Sequence, residues 1–143
     1  DAPKILGGKS LSDTEASILC QGDGNAHGLM METNSEELLH AGVKLAKKTW
    51  INTKQELGLE NSDFTHILCH QVGVAHRNMM FKELDLNLNK DHTTFDQYGN
   101  TGSAALPLTM IKAFESKGFK KGELLALLGI GSGLHSVMLG VKW

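Results

Sequence analysis

The sequence is poor in cysteine, proline and aromatic residues. It has two cysteines and two prolines in 143 residues, and aromatic residues make up 6% of the chain. Two cysteines, Cys20 and Cys69, cannot form the disulfide framework of a small secreted domain, so we expect a cytoplasmic protein with reduced thiols. The scarcity of proline, with 41% hydrophobic and 21% charged residues, excludes a disordered or fibrous chain and predicts a globular one.

Long runs of one charge and long apolar runs are also missing. The net charge is -2 and no run of lysine and arginine occurs, which argues against a nucleic-acid partner. The longest apolar stretches, near residues 124–128 and 137–141, are too short to cross a bilayer, so we predict no membrane span. The length is sufficient for one domain with its own core. Because the chain begins without a methionine, we expect it to be a fragment of a longer protein.

Hydrophobic periodicity predicts strands that alternate with helices. The first helix should begin at a Thr33-x-x-Glu36 capping box and end at Gly58, with Val43 and Trp50 on its core-facing stripe. The last two strands are close enough in sequence to pair as a hairpin. This alternation predicts a layered α/β fold. The pattern predicts strands at residues 15–21, 65–70, 92–97, 123–129 and 135–143, a loop at 22–28, and later helices at 74–86 and 102–117.

Four histidines between residues 66 and 92 raise the question of a metal site. In a strand at 65–70, His66 and His70 share a face but lie roughly 13 Å apart at about 3.3 Å per residue, too far for one ion. We therefore predict no metal site and expect ordinary polar or capping roles for His66, His76 and His92.

The two cysteines are poor candidates for a nucleophile. Alternation along a strand directs Cys69 and His70 to opposite faces, so they cannot act as a nucleophile and its base. Cys69 is expected to be a small buried hydrophobe, and Cys20, which ends an apolar run with no helix start after it, a structural residue.

Three glycines follow the penultimate strand, at Gly129, Gly131 and Gly133. They form part of a dinucleotide-binding fingerprint, but the ten residues after Gly133 leave no room for the helix and strand that this fingerprint requires. Two readings stay open: a turn whose backbone closely approaches a ligand, and a simple tight hairpin.

His70 and Asn100 are the best candidates for chemistry. Each is predicted at an edge of the sheet layer, His70 at the carboxyl end of a buried strand and Asn100 at the start of a helix, among small neighbours. An imidazole and an amide are neutral donors that could stabilise an enolate or a thioester oxyanion. Taken alone, His70 is more typical of a satisfied, partly buried histidine, and the residues leave open whether Asn100 is a site residue or a helix-capping or turn asparagine.

Three motifs together resemble a known family. "HQVG" with His70, "YGNTGSAALP" with Asn100, and "GIGSGL" before the terminal "VKW" are similar in order and spacing to the C-terminal half of the 3-oxoacyl-ACP synthase III group, within the thiolase-like superfamily. The resemblance covers residues 38–143; residues 1–37 match less clearly. "HQVG...HR" and "KKTW" look closer to relatives that join two long acyl chains.

The resemblance implies a fold and a mechanism. The fold would be α/β, one half of a thiolase-like layered fold with a mixed sheet and helices packed on it, and residues 1–143 would form a C-terminal half-domain. His70 and Asn100 would stabilise the enolate in a Claisen condensation of acyl thioesters. The glycine loop Gly131, Ser132 and Gly133 would lie beside the nucleophilic cysteine and contribute to an oxyanion hole.

Two departures from the family pattern bear on this reading. Gly73 stands where family members with "HQAN" have asparagine, and neither cysteine matches the nucleophile, which the family carries in its N-terminal half. The fragment alone would therefore be inactive.

The implied partners follow from the same resemblance. They are acyl-CoA, acyl or malonyl carrier protein, the N-terminal half and a second copy in a homodimer, with no cofactor and a role in fatty acid or related lipid biosynthesis. A non-catalytic acyl-thioester or carrier-protein binding module and a structural half-domain for assembly are the alternatives.

Overall fold

The computed structural model describes residues 2–22 and 30–143, so most of the loop predicted at 22–28 lies outside the described residues. The described part alternates strands and helices, with short 3₁₀ segments at Glu15–Leu19, Leu88–Lys90 and Gly102–Ala104. The main elements, in chain order, are β1 (Lys4–Ser12), β2 (Cys20–Gly22), β3 (Met31–Thr33), α1 (Ser35–Leu57), β4 (His66–Cys69), α2 (Val74–Glu83), α3 (Phe95–Tyr98), α4 (Ala105–Lys117), β5 (Leu124–Gly131) and β6 (His135–Lys142).

Four strands form a mixed sheet in the order β1-β6-β5-β4. The predicted hairpin is confirmed: β5 and β6 run antiparallel, with Leu127 opposite Leu139. β4 is parallel to β5, and Ile67 faces Ala126 across that pair. The parallel pairing places the carboxyl end of β4 beside the end of β5 that leads into the hairpin turn.

Helices cover both faces of this sheet, as the predicted α/β class requires. Trp50 of α1 shares a core cluster with Ile67 and Met138 on one face. Ala113 of α4 packs with Leu68 on the other face. Successive strand residues point to opposite sides, which is why the neighbours Ile67 and Leu68 belong to different layers.

The strand β1 was not predicted from the sequence. It pairs antiparallel with β6 at the edge of the sheet, and most of its side chains are exposed or half-buried, so it carries no clear apolar alternation. The glycine at position 8 of this strand has a structural reason. A Cβ at this position would lie 2.0 Å from the carbonyl oxygen of Met138, so the close approach of the two backbones requires glycine.

The start of α1 differs from the predicted capping box. Asn34 is the N-cap, and its side chain accepts a hydrogen bond of 3.3 Å from the backbone N–H of Glu37. Thr33 cannot take this role because its backbone pairs with Cys20 in the β2–β3 ladder. The predicted end is confirmed: Gly58 closes the helix with φ 63° and ψ 34°, a left-handed conformation that suits glycine.

One predicted strand is partly right and one is wrong. Of residues 15–21, Cys20 and Gln21 belong to β2, while Glu15–Leu19 form a 3₁₀ turn, because Ala16 and Leu19 lie three residues apart and face the same small core cluster. Residues 92–97 carry only the beginning of α3. Here the backbone N–H of Thr94 donates to the side-chain oxygen of Gln71 at 3.1 Å, so a side chain takes the place of a strand partner.

Candidate functional site

A cavity of about 520 Å³ opens at the carboxyl end of β4. It is bounded by the start of α1, the start of α2, the β5–β6 turn and the small β2–β3 ladder. His70, Asn100, Gly131 and Ser132 all line it, so four of the five predicted site residues meet at one place. The apolar part of the wall consists of side chains from these elements: Met31, Leu38, Leu39, Val72, Val74, Ile130 and Leu134.

His70 is held at the cavity by the sheet. Its backbone N–H donates to the carbonyl oxygen of Leu128 at 2.8 Å, which extends the β4–β5 ladder by one residue. The ring is half-buried, and within residues 2–22 and 30–143 it makes no hydrogen bond. Burial lowers the pKa of His70 below its usual 6.5, so the neutral imidazole, with one donor and one acceptor, predominates at neutral pH.

Asn100 sits in a turn made by two glycines. Gly99 and Gly102 have φ of 64° and 61°, which side chains other than glycine rarely adopt. The Oδ1 atom of Asn100 accepts a hydrogen bond of 3.0 Å from the N–H of Gly102. Among the described residues the Asn100 amide nitrogen donates to none, so its N–H groups remain available to a ligand in the cavity.

The β5–β6 turn is the tight hairpin that one of the two readings predicted, and the approach of its backbone to a ligand stays a prediction. Gly131 and Ser132 of this turn line the cavity. A Cβ at Gly131 would meet nothing within 4 Å, so this residue leaves open space at the wall. Gly133, with φ 117°, shapes the turn and is not a lining residue, which separates it from the other two residues of the predicted loop.

The two cysteines differ in position. Cys69 is buried as predicted, and burial raises the pKa of its thiol far above the usual value, so it is not a thiolate at neutral pH. Cys20 is half-buried and lines the cavity, where its Sγ lies 3.6 Å from Thr33 Oγ1 and 3.8 Å from Ser132 Oγ. Its place in the cavity could not be read from the sequence, since the β2–β3 ladder brings it there.

His76 is a second cavity residue that sequence reasoning missed. It lies in the first turn of α2 and lines the cavity with His70. Burial, with a smaller contribution from nearby His70, lowers the pKa of His76 to about 4, so it is also neutral at neutral pH. The nearest signal was its position on the helix that follows residues 70–73, the His70 loop.

His66 and His92, the other two of the four histidines between residues 66 and 92, form a polar cluster at the opposite end of β4. Nδ1 of His66 lies 3.0 Å from Nε2 of His92, and Nε2 of His66 lies 3.0 Å from the carboxylate of Glu123. These are the ordinary polar roles that the sequence predicted. In the part of the chain that the structure describes, no three histidine, cysteine or acidic residues are grouped so that they could hold a metal ion.

None of the helices in the described ranges is long and apolar enough to cross a membrane.

Known proteins match all or most of this chain. An acyl-CoA:acyl-CoA alkyltransferase of Xanthomonas campestris is 38% identical over 143 residues, which are 100% of this chain and 41% of that protein. One of Shewanella oneidensis is 33% identical over 98% of this chain and 42% of its own length. A beta-ketoacyl-[acyl-carrier-protein] synthase III of Halalkalibacterium halodurans is 29% identical over 83% of this chain and 38% of its own length.

Solved structures show the same similarity. A cysteine-to-serine variant of Xanthomonas campestris OleA, with bound lauric acid and lauroyl-CoA, superposes with a TM-score of 0.90 at 39% identity, covering 100% of this chain and 41% of that one. The 3-oxoacyl-(acyl carrier protein) synthase III of Xanthomonas oryzae gives a TM-score of 0.89 at 38% identity, over 99% of this chain and 41% of that one. This chain thus spans about two-fifths of the length of these relatives, and its α/β fold is thiolase-like.

The family described as 3-oxoacyl-[acyl-carrier-protein (ACP)] synthase III C terminal matches residues 55–143, which hold the His70 loop, the Asn100 turn and the β5–β6 hairpin. The chain belongs to this family.

Proposed function

We propose that this chain forms the C-terminal catalytic half of a beta-ketoacyl-ACP synthase III-type acyltransferase, which condenses two acyl thioesters in fatty acid or related lipid biosynthesis. The observation that carries the proposal is that His70 and Asn100, from separate elements, bring hydrogen-bond donors to one cavity. The proposal includes an N-terminal half, outside residues 1–143, that supplies the nucleophilic cysteine. The homodimer and the cytoplasmic location remain predictions from the sequence.

The proposed reaction has two stages. An acyl group is first held as a thioester on the cysteine of the N-terminal half. A second thioester then loses carbon dioxide, or gives an α-proton to a general base of the N-terminal half, and its enolate oxygen accepts hydrogen bonds from His70 and Asn100. The α-carbon attacks the acyl carbonyl, a carbon–carbon bond forms, and the carbon–sulfur bond breaks to release the thiolate. The backbone at Gly131 and Ser132 borders the cavity where the first carbonyl would lie.

The electrostatics of the cavity support these roles. Both donors are uncharged, since burial lowers the pKa of His70 and the Asn100 side chain is an amide. Neutral donors that are already oriented stabilise a developing oxyanion without having to reorganise during the reaction. The Asn100 amide is already oriented before substrate binds, because its Oδ1 atom accepts a hydrogen bond from the N–H of Gly102.

The substrates are proposed from the cavity wall and the relatives. The apolar lining suits an acyl chain. The alkyltransferase relatives are named for acyl-CoA substrates, and the OleA structure contains lauroyl-CoA, which favours acyl-CoA here. The chemistry that we propose needs no cofactor.

A second groove, between α1 and α2, favours the binding of a phosphate-bearing or acidic partner. Lys44, Lys47 and Lys82 line it together with Glu83, whose carboxylate pairs with Lys47 at 3.1 Å, and Ala75 lines both this groove and the cavity. Cationic side chains in this groove would attract the phosphates of CoA or an acidic carrier protein. Acyl carrier protein therefore stays a candidate partner.

Substitution of the two donors in the full-length protein tests the proposal. We expect His70→Ala and Asn100→Ala each to lower the rate of condensation by about 100- to 1,000-fold, because loss of one oxyanion donor costs roughly 3–4 kcal/mol. Acyl loading onto the nucleophile should change far less, since neither residue acts in that stage. The two rates are measured by product formation and by intact mass, with His135→Ala at the exposed start of β6 as the control. Equal losses in both half-reactions would contradict the assigned roles.

The location of the nucleophile is tested by intact mass. The 143-residue chain, the full-length protein and its Cys20→Ser variant are incubated with a long-chain acyl-CoA. We expect an acyl adduct on the full-length protein and on the variant, and none on the 143-residue chain. An adduct that disappears with Cys20→Ser would make Cys20 the nucleophile. Binding without any adduct or product would favour the non-catalytic binding module.

A further inference from the structure

Three buried side chains take part in a series of hydrogen bonds between the segments that carry His70 and Asn100. Gln71, Thr94 and Thr109 are 4%, 7% and 0% exposed. Nε2 of Gln71 donates to the carbonyl oxygen of Cys69 at 2.8 Å, and its Oε1 accepts from the backbone N–H of Thr94 at 3.1 Å. The hydroxyls of Thr94 and Thr109 are 2.7 Å apart, and Thr109 donates to the carbonyl oxygen of Ala105 at 2.8 Å. A hydroxyl has one hydrogen, so Thr94 donates to Thr109.

These hydrogen bonds connect the two segments that carry the proposed donors. Gln71 directly follows His70, and Thr94 lies at the start of α3, which leads to Asn100. Thr109 lies in α4, which begins shortly after Asn100. Gln71 thus ties the end of β4 to the segment before Asn100, and the two hydroxyls tie that segment to the helix after it.

None of the three residues lines the cavity. Their polar atoms are buried and are satisfied by backbone groups and, for the two hydroxyls, by each other, so the loss of one partner leaves the next group unpaired at a substantial cost. A group that loses its partner in a packed interior moves or admits water. Either response would shift the His70 loop relative to the Asn100 turn.

We propose that Gln71, Thr94 and Thr109 are positioning residues that set the separation of the His70 and Asn100 donors, an inference that rests on the proposed condensation. They act through this pair and do not touch the substrate. Displacement of reacting groups by about 1 Å can lower the rate about 100-fold, so these hydrogen bonds are important for catalysis as well as for stability.

The test is Thr109→Val in the full-length protein, a change that keeps the shape and removes the hydroxyl. We expect the kcat for condensation to fall about 10- to 100-fold while acyl loading stays within about twofold. Thr109→Ser should restore most of the rate because it restores the hydroxyl. The matched control is Thr49→Val, since Thr49 is also 0% exposed and bonds to the carbonyl oxygen four residues before it, in α1. It should leave condensation unchanged.

The same substitution made in the Asn100→Ala variant separates a positioning role from general destabilisation of the protein. In Asn100→Ala protein, Thr109→Val should lower condensation less than about twofold further, because the pair it positions is already broken. Equal fold-losses in both backgrounds, or equal losses of loading and condensation, would overturn the positioning role. If Thr109→Val does not fold, Gln71→Glu, which removes the donor to Cys69, is measured in the same two backgrounds and judged by the same outcomes. Wild-type condensation by Asn100→Ala would overturn the proposed function itself, and the positioning role with it.

Discussion

The two polar atoms of the Asn100 side chain have different roles, one within the fold and one at the cavity. Its Oδ1 accepts from the N–H of Gly102, while its amide nitrogen is left for a ligand. Aspartate keeps the acceptor and lacks the donor. We expect Asn100→Asp in the full-length protein to melt at the wild-type temperature by circular dichroism and to lose condensation by about 100-fold or more. Near-normal condensation in a folded Asn100→Asp protein would show that the amide donor is not used.

The motif residues were easier to predict than their surroundings. His70, Asn100, Gly131 and Ser132 belong to short segments whose composition already favoured a turn or a strand end, and all four reach the cavity. Cys20 joins them only because β2 pairs with β3, a contact that no local pattern encodes.

Among the elements, β1 shows how a strand can depend on a single small residue. At Gly8 a Cβ would clash with the backbone oxygen of Met138 at 2.0 Å, and backbone in a paired strand cannot move away without breaking the ladder. We expect Gly8→Ala to lower the free energy of unfolding by about 1–3 kcal/mol, measured by urea denaturation. Gly73→Ala is the control, because its backbone is extended and a Cβ there meets nothing within 4 Å. Equal stability of the two variants would mean that β1 is not held against β6 as described.

Elements with strong periodicity were predicted well, and short ones were not. α1, α4 and the β5–β6 hairpin follow from stripes and turn residues that act over many positions. Residues 92–97 were predicted as a strand from their threonines, but Gln71, distant in sequence, takes the Thr94 N–H and permits a helical turn. Tertiary contacts override weak local preferences in such short segments.

At the scale of the whole molecule, stability should depend on buried histidines. Burial lowers the pKa of both His76 and His92 to about 4, with Lys117 and His66 adding to the shift at His92. The unfolded chain, with histidine pKa near 6.5, binds more protons than the native state between about pH 6.5 and 4. The stabilisation is therefore complete above about pH 6.5 and is lost as the pH falls toward 4.

His92→Gln tests this dependence. Glutamine keeps polar atoms near His66 but does not titrate, so we expect a shallower fall of the melting temperature of the full-length protein between about pH 6.5 and 4. The residual slope would come from the remaining histidines, His76 among them. An unchanged slope would show that His92 does not titrate across folding as its burial requires.

The motifs shared with the family singled out His70 and Asn100. The sequence by itself determined the α/β class, the long helices and the terminal hairpin. Each of these depends on interactions within a helix, a turn or a strand pair close in sequence. The tertiary structure alone decided that β1 completes the sheet and that Cys20 and His76 face the cavity. It also decided that Gln71 bonds to Thr94 rather than to solvent. These depend on contacts between segments far apart in the chain, and such contacts exist only once apolar burial has brought the segments together.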